Sequence, residues 1–333
     1  MKRACIYLQN GFWKDIKKLH EELFGPNGWD LFCVFRRSRL YAEIPIEDFM
    51  QDDWLSILWH ESGGSCYVDK GHVEAIIKGE KKSIEDFCSV FLLDKDNATC
   101  KKYANKNGNL CLNSEILSKH HFLTTIKPIP FDFHEKGSYY DLKKYFFHPC
   151  NSLLLIDPHI LKEKTYIKYH IKPLLDNILP DLLDIPFHIS IFSGIGKINE
   201  ANDGESYYDG ILKMLQEIRP KLVVSLTLYQ IPIQGEGWHA RYLVTNNLMI
   251  NAPDGFDFFG PIHGELKAKK VGKFVVSCPW LEKNNDIKEY SIWINKTANE
   301  SINAAGYHHA RWGTKENRLF ELADSPQKQF QVE

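Results

Sequence analysis

Three continuous apolar runs in the second half of the chain, SLLLIDPHIL, PFHISIFSG and KLVVSLTLY, constrain its fold more than any other feature. Each has the length of a β-strand and shows little polar alternation, the pattern of strands buried on both faces. Between them stand helical segments, IKYHIKPLLDNILPDLL, interrupted by proline, and YYDGILKMLQEI. Strands alternating with helices predict an α/β sheet whose early strands are mostly parallel. The next strand candidates, WHARYLVT and LMINA, follow too closely for helical crossovers, so antiparallel pairing is expected there. The fold class expected is α/β, a mixed sheet flanked by helices.

The first half reads differently, and the chain is expected to divide into an α+β N-terminal domain over 1–149, of unassigned role, and a second domain over 150–333. A strand is expected at ACIYLQ and an amphipathic helix at WKDIKKLHEELFG, with Gly25 as its C-cap. Strands follow at LFCVFRR and LYAEIP, then one helix at IEDFMQDDWLSILWH. LDKDNATCKKYANKNGN, polar and rich in lysine and asparagine, reads as a long loop. KPIPFDFHEKGSYYD, broken by prolines, reads as a connector.

With 333 residues, 44% of them hydrophobic, the chain has the material for a real core. Its formal net charge of -2 supplies no whole-molecule attraction to nucleic acid or anionic lipid, so such binding would need a local patch. No stretch approaches a membrane span, and the start MKRACIYLQNGFW lacks a long apolar core, so the expectation is a cytoplasmic protein. The eight cysteines are scattered, which suits reduced thiols. His60, Cys66, His72, Cys100 and Cys111 form a candidate zinc set, but no Cys-x-x-Cys pair occurs, and neither metal nor cofactor is expected.

Chemistry concentrates in GWHARYLVTNNLMINAPDGFDFFG. On a strand, His239 and Arg241 share one face, while Ala240 and Tyr242 share the other. Asn246 follows Arg241 after four intervening residues, and the turn at Asp254 and Gly255 lets backbone approach the strand. These types suit a phosphate, because histidine can attack phosphorus and a guanidinium grips two oxygens in a planar fork. Alternatively, His239 caps a strand and Arg241 pairs structurally with Asp254 or Asp257.

HARYLVTN followed by APDGFDFF resembles a degenerate form of the phospholipase D superfamily motif, His-x-Lys, four residues, Asp, then a glycine-containing segment. It is similar to the phospholipase D-like domain at the C-terminus of some microtubule-interacting-and-trafficking proteins and to bacterial relatives, and ENRLFEL is similar to their C-terminal segments. The resemblance covers roughly residues 150 to 322. It implies a phosphodiesterase or nuclease in which His239 attacks phosphorus, forming a phosphohistidine, Arg241 stabilises charge, and a second histidine protonates the leaving oxygen. It also implies a phosphate-binding group of Arg241, Asn246, Gly255 and Arg311. Arg241 stands in place of lysine and Asn246 in place of aspartate, which favours binding a phosphate-bearing ligand, nucleic acid included, over efficient hydrolysis. A lone motif requires a partner subunit, hence a homodimer, or another histidine. The alternative is a non-catalytic protein-interaction module using the fold as scaffold.

HHARWGTKEN repeats the spacing, with His309 and Arg311 matching His239 and Arg241 and Glu316 at the acidic position, so His308 or His309 is a candidate second histidine. WGTKENRLF reads as loop then helix. His134, Lys136 and Asp141 also satisfy the unmutated spacing, but inside the connector, and are taken as coincidence. Asp157 ends an apolar run and is read first as an Asp-Pro turn and second as a ligand carboxylate. FSGIGK is an incomplete phosphate-loop match, and Lys267, Lys269, Lys270 and Lys273 read as a solvated face compatible with nucleic-acid contact.

Overall fold

The computed structural model describes residues 4–15, 17–18, 38–62, 65–81, 89–115, 129–131, 149–194, 204–230, 241–257, 259–262, 265–268, 272–277, 311–313 and 317–319. These form an α/β structure with two main sheets, one parallel and one mixed, flanked by helices. Among the described residues no helix is long and apolar enough to cross a membrane.

The first sheet contains β1 (Ala4–Leu8), β2 (Ser38–Ala42), β3 (Ser65–Tyr67), β4 (Ser89–Leu92) and β5 (Leu110–Leu112), in the order β3-β2-β1-β4-β5. Every neighbouring pair is parallel, which corrects the expected α+β arrangement of this half. Tyr7 stands in register with Tyr41 on one side and Phe91 on the other, and its ring stacks on both, at 5.1 and 4.8 Å between centroids. Such cross-strand aromatic contacts stabilise a pleated face beyond simple burial.

Two expectations in this half change. The single helix expected from IEDFMQDDWLSILWH is two, α1 (Ile46–Gln51) and α2 (Asp53–Glu61). Between them Asp52 has extended backbone and accepts a hydrogen bond from Leu55 N at 3.1 Å, the geometry of an N-cap that starts a new helix. The expected loop at LDKDNATCKKYANKNGN contains α4 (Asn97–Asn107), after α3 (His72–Lys78). Asp96 caps its start through Thr99 N at 2.9 Å, and Gly108 ends it at φ 64. Its polar residues face water, while Cys100, Tyr103 and Ala104 make a narrow buried stripe at helical spacing. Tyr103 meets Phe91 edge-on at 5.0 Å, so a few apolar side chains dock a helix whose composition reads as loop.

The second sheet runs β15-β9-β8-β7-β10-β11-β14-β6. Its centre is the parallel trio β7 (Ser152–Ile156), β8 (Phe187–Ser193) and β9 (Val224–Gln230). All residues of β7 and β8 are buried, as the continuous apolar runs require. A π-helical turn at Ile167–Ile171 leading into α5 (Lys172–Ile178) follows β7, and α6 (Gly204–Ile218) lies between β8 and β9. Leu155, Ile191, Leu228, Leu243 and Ile250 share one core cluster with Ile171, Leu175, Ile211 and Met214 of those helices.

On the far side of β7, β10 (Tyr242–Thr245) and β11 (Met249–Asn251) pair antiparallel, as their short spacing requires. β14 (Gly272–Ser277) continues the sheet, and β6 (Ile129–Phe131), from before residue 149, pairs with it. β12 (Phe259–Ile262) and β13 (Glu265–Ala268) pair as a separate two-stranded ribbon, with β12 near the π-helical turn. At the opposite edge β15 (Arg311–Gly313) pairs antiparallel with β9, where loop and then helix were expected.

The two main sheets meet where α4 ends. Asn151 Nδ2 donates to Asn107 O at 2.9 Å, Asp184 N donates to Lys106 O at 2.7 Å, and Lys106 Nζ stands 2.8 Å from Asp184 Oδ2. A Cβ on Gly108 would fall 2.5 Å from Cys150 O, so glycine is what permits this close approach.

Candidate functional site

The parallel trio ends its strands at one rim of the second sheet, the side where open α/β sheets place ligands. Because β10 runs antiparallel to β7, its start meets that same rim. Tyr242 pairs with Ile156, so Arg241 stands beside Asp157, one residue further out on each strand.

Asp157 is 1% exposed, lies at the strand-end rim and makes the expected turn contact. Its Oδ1 accepts from His159 N at 2.9 Å, the turn contact, while Oδ2 accepts from Phe256 N at 2.9 Å, tying β7 to the segment after β11. Burial pushes its carboxyl above the usual range, and nearby Asp257 adds to that. The backbone donors and the Arg241 guanidinium pull it back down.

Arg241 Nε lies 3.8 Å from Asp157 Oδ1, and Nη1 donates to Pro253 O at 2.7 Å. Its backbone carbonyl accepts from Ala252 N at 2.9 Å. Gly255, at φ 86, packs against the same side chain, and a Cβ there would sit 3.0 Å from Arg241 Cδ and 3.0 Å from Asp257 Oδ1. Arg241, Gly255 and Asp157 are therefore brought together, with Asp257 alongside. Tyr166, beyond the end of β7, has its hydroxyl pKa pushed up by burial, with Glu163 and Asp257 reinforcing it. Ser193 closes the neighbouring strand end, donating to Gly194 O at 3.0 Å and accepting from Leu161 N at 3.1 Å.

Asn246 lies at the other end of β10. Its Oδ1 accepts from Asn151 N and Ser152 N, both at 3.0 Å, and its Nδ2 donates to Asn151 Oδ1 at 2.9 Å. The amide anchors the start of β7, a strand's length from the rim. Arg311 is also separate from Arg241. It pairs in register with Tyr229, in the row Tyr242–Ile156–Phe192–Tyr229–Arg311, whereas Arg241 and Asp157 begin the next row. Adjacent rows point to opposite faces, so the two arginines face opposite sides of the sheet, four strand positions or about 19 Å apart. Arg311 Nη1 is buried without a hydrogen-bond partner among the described residues. Neighbouring Tyr229 stacks on Phe192 at 4.3 Å, and burial pushes its hydroxyl to about 12 despite the guanidinium.

His239, His308, His309 and Glu316 lie outside the described residues, as do His134, Lys136, Asp141, Lys269 and Lys270. Among the described residues no group of three His, Cys, Asp or Glu could hold a metal ion. Cys100 and Cys111 are buried, and burial pushes the Cys111 thiol well up, so the pair sits in the protein interior. The residues that sequence reasoning undervalued are Asp157, Ser193 and Tyr166. For Asp157 the signal was present, a lone carboxylate closing a buried strand. For Tyr166 only the fold brings it toward Asp257.

No family model matches the sequence, and no curated protein matches it either.

Proposed function

We propose that the second sheet belongs to a degenerate phospholipase D-like domain that binds a phosphate-bearing ligand, nucleic acid or another phosphodiester, at the rim carrying Arg241. The observation that carries this reading is the fixed guanidinium. Arg241 is held through Nε by Asp157 and through Nη1 by Pro253 O, which leaves Nη2 without a partner among the described residues. A guanidinium already ordered loses little conformational freedom on meeting an anion. The glycine against it keeps side-chain bulk away. Binding is favoured over turnover because Asn246 spends its amide on the backbone of β7 and Arg311 faces the other side of the sheet. If hydrolysis occurs, His239 is the nucleophile, through a phosphohistidine, and His309 or a second copy of the chain in a homodimer supplies the other histidine. The free thiols among the described cysteines suit a reducing cytoplasm, where we place the protein.

A second reading has its own support. The three anchors of Arg241 also make it a cross-brace between β7, β10 and the turn after β11, which a purely scaffolding module would keep. The experiment that separates the two incubates purified protein with single- and double-stranded nucleic acids and a generic phosphodiester, with and without chelator, beside His239→Ala and Arg241→Ala. Binding lost about tenfold in Arg241→Ala without turnover supports the phosphate site. Chelator-resistant cleavage abolished in His239→Ala supports an enzyme. Unchanged binding and activity in a destabilised Arg241→Ala leave only the scaffold.

A further inference from the structure

We propose that the N-terminal parallel sheet carries a separate binding site for a mononucleotide. The order β3-β2-β1-β4-β5 reverses direction between β1 and β4, and open parallel sheets form their ligand crevice at such a reversal, beyond the carboxyl ends of the strands. Here the β1–β4 side of that crevice is closed. Asp94 N donates to Gln9 Oε1 at 3.0 Å, and a Cβ on Gly11 would fall 2.6 Å from Asp94 Oδ2. A carboxylate thus packs where a pyrophosphate would approach the first loop, and LQNGFWKD has one glycine rather than the three of a dinucleotide fingerprint.

The open space lies over β1, β2 and β3. A pocket of about 690 Å³ is lined by Asn10, Gly11, Trp13 and Lys14 from the helical segment after β1, Asp48 and Gln51 from α1, and Lys70 from the loop after β3. That volume suits one nucleotide. The lining also holds Asp52, whose carboxylate is already taken by Lys17 Nζ at 2.8 Å and by Leu55 N. Among the described residues the lining charges without an ion pair are therefore Lys14 and Lys70 against Asp48, an excess of positive charge that favours an anion. Trp13 is half-buried and offers a planar face, with Lys14 Nζ 5.6 Å from its ring. A ring to stack, two ammonium groups for a phosphate, and a carboxylate with two amides for ribose hydroxyls together describe a nucleoside monophosphate.

Calorimetric titration of the full chain with AMP, GMP, CMP and UMP, beside inorganic phosphate, tests this. At least one nucleotide is expected to bind about tenfold or more tightly than phosphate. The pair Lys14→Ala and Lys70→Ala should weaken it about tenfold, and Trp13→Ala about fivefold, with circular dichroism unchanged because both lysines are exposed. Arg241→Ala should bind the nucleotide as the parent does. Absence of binding by all four nucleotides at millimolar concentration overturns the proposal, as does unchanged affinity in both pocket variants. Phosphate binding as tightly as the nucleotides overturns the ligand class, and loss of binding in Arg241→Ala moves the ligand to the other sheet.

Discussion

Arg241 and Arg311 carry the same three letters, His-Ala-Arg, and begin strands that enter the same end of one sheet, yet they occupy unlike environments. Arg241 lies beside Asp157 on the helix-covered face, with its guanidinium anchored at two atoms. Arg311 lies opposite Tyr229 on the other face, with a buried Nη1 that has no hydrogen bond among the described residues. A shift of one residue in register separates them, because side chains alternate along a strand. Shared sequence spacing does not make shared geometry when neighbouring strands pair out of phase.

The sharpest way to break the contrast is to remove the carboxylate that makes Arg241 special. Asp157→Ala leaves two backbone donors without their acceptor and the Arg241 guanidinium without its ion-pair partner, and should cost about 3–5 kcal/mol in urea unfolding. A loss below about 1 kcal/mol would show that the group does not hold Arg241 as described. Next, Gly255→Ala combines positive φ with crowding of Arg241 Cδ and should cost about 1–3 kcal/mol, with phosphate-ligand affinity falling alongside. Restoring the acidic residue of the motif by Asn246→Asp should not rescue activity. It places a carboxylate against the Asn151 side-chain carbonyl and should destabilise by about 1–3 kcal/mol, whereas recovered turnover would show that Asn246 can reach the substrate.

The pH dependence of stability offers a finer test. Burial raises the Asp157 carboxyl in the folded state above the unfolded value near 3.8, so between those two values the native chain binds more protons than the unfolded one. This carboxyl's contribution should therefore fall as pH rises from 3.8 through the raised value, and Asp157→Asn should flatten that portion of a urea-stability profile. A profile of the same slope in both proteins assigns the dependence elsewhere. The smallest effect is expected at Arg311, where Arg311→Met removes a buried donor that has no hydrogen-bond partner among the described residues and should change stability by under about 1 kcal/mol. The same substitution at Arg241 should cost more.

Legibility followed burial. The apolar runs of β7, β8 and β9 and the amphipathic α6 could be read directly, because complete or one-sided burial leaves a strong periodic trace. α4 could not, since three side chains dock it and its caps, Asp96 and Gly108, look like loop residues. The parallel direction of β1 to β5 was hidden because alternation is the same in parallel and antiparallel strands, and these strands are only three to five residues long. Of the candidate site, Arg241 and Gly255 were legible as neighbours, and Asn246 and Arg311 were grouped with them on spacing alone.

The local pattern of residues determined the buried strands β7, β8 and β9 and the amphipathic α6, the parallel order of that trio and the antiparallel turn-back after it, through burial and connection length. Tertiary structure alone decided that Asp157, nearly a hundred residues from Phe256, closes the Arg241 site and that the repeated motif faces the other way. Pairing register and the burial of an unlike charge arise between segments distant in the chain, and no local window of sequence contains them.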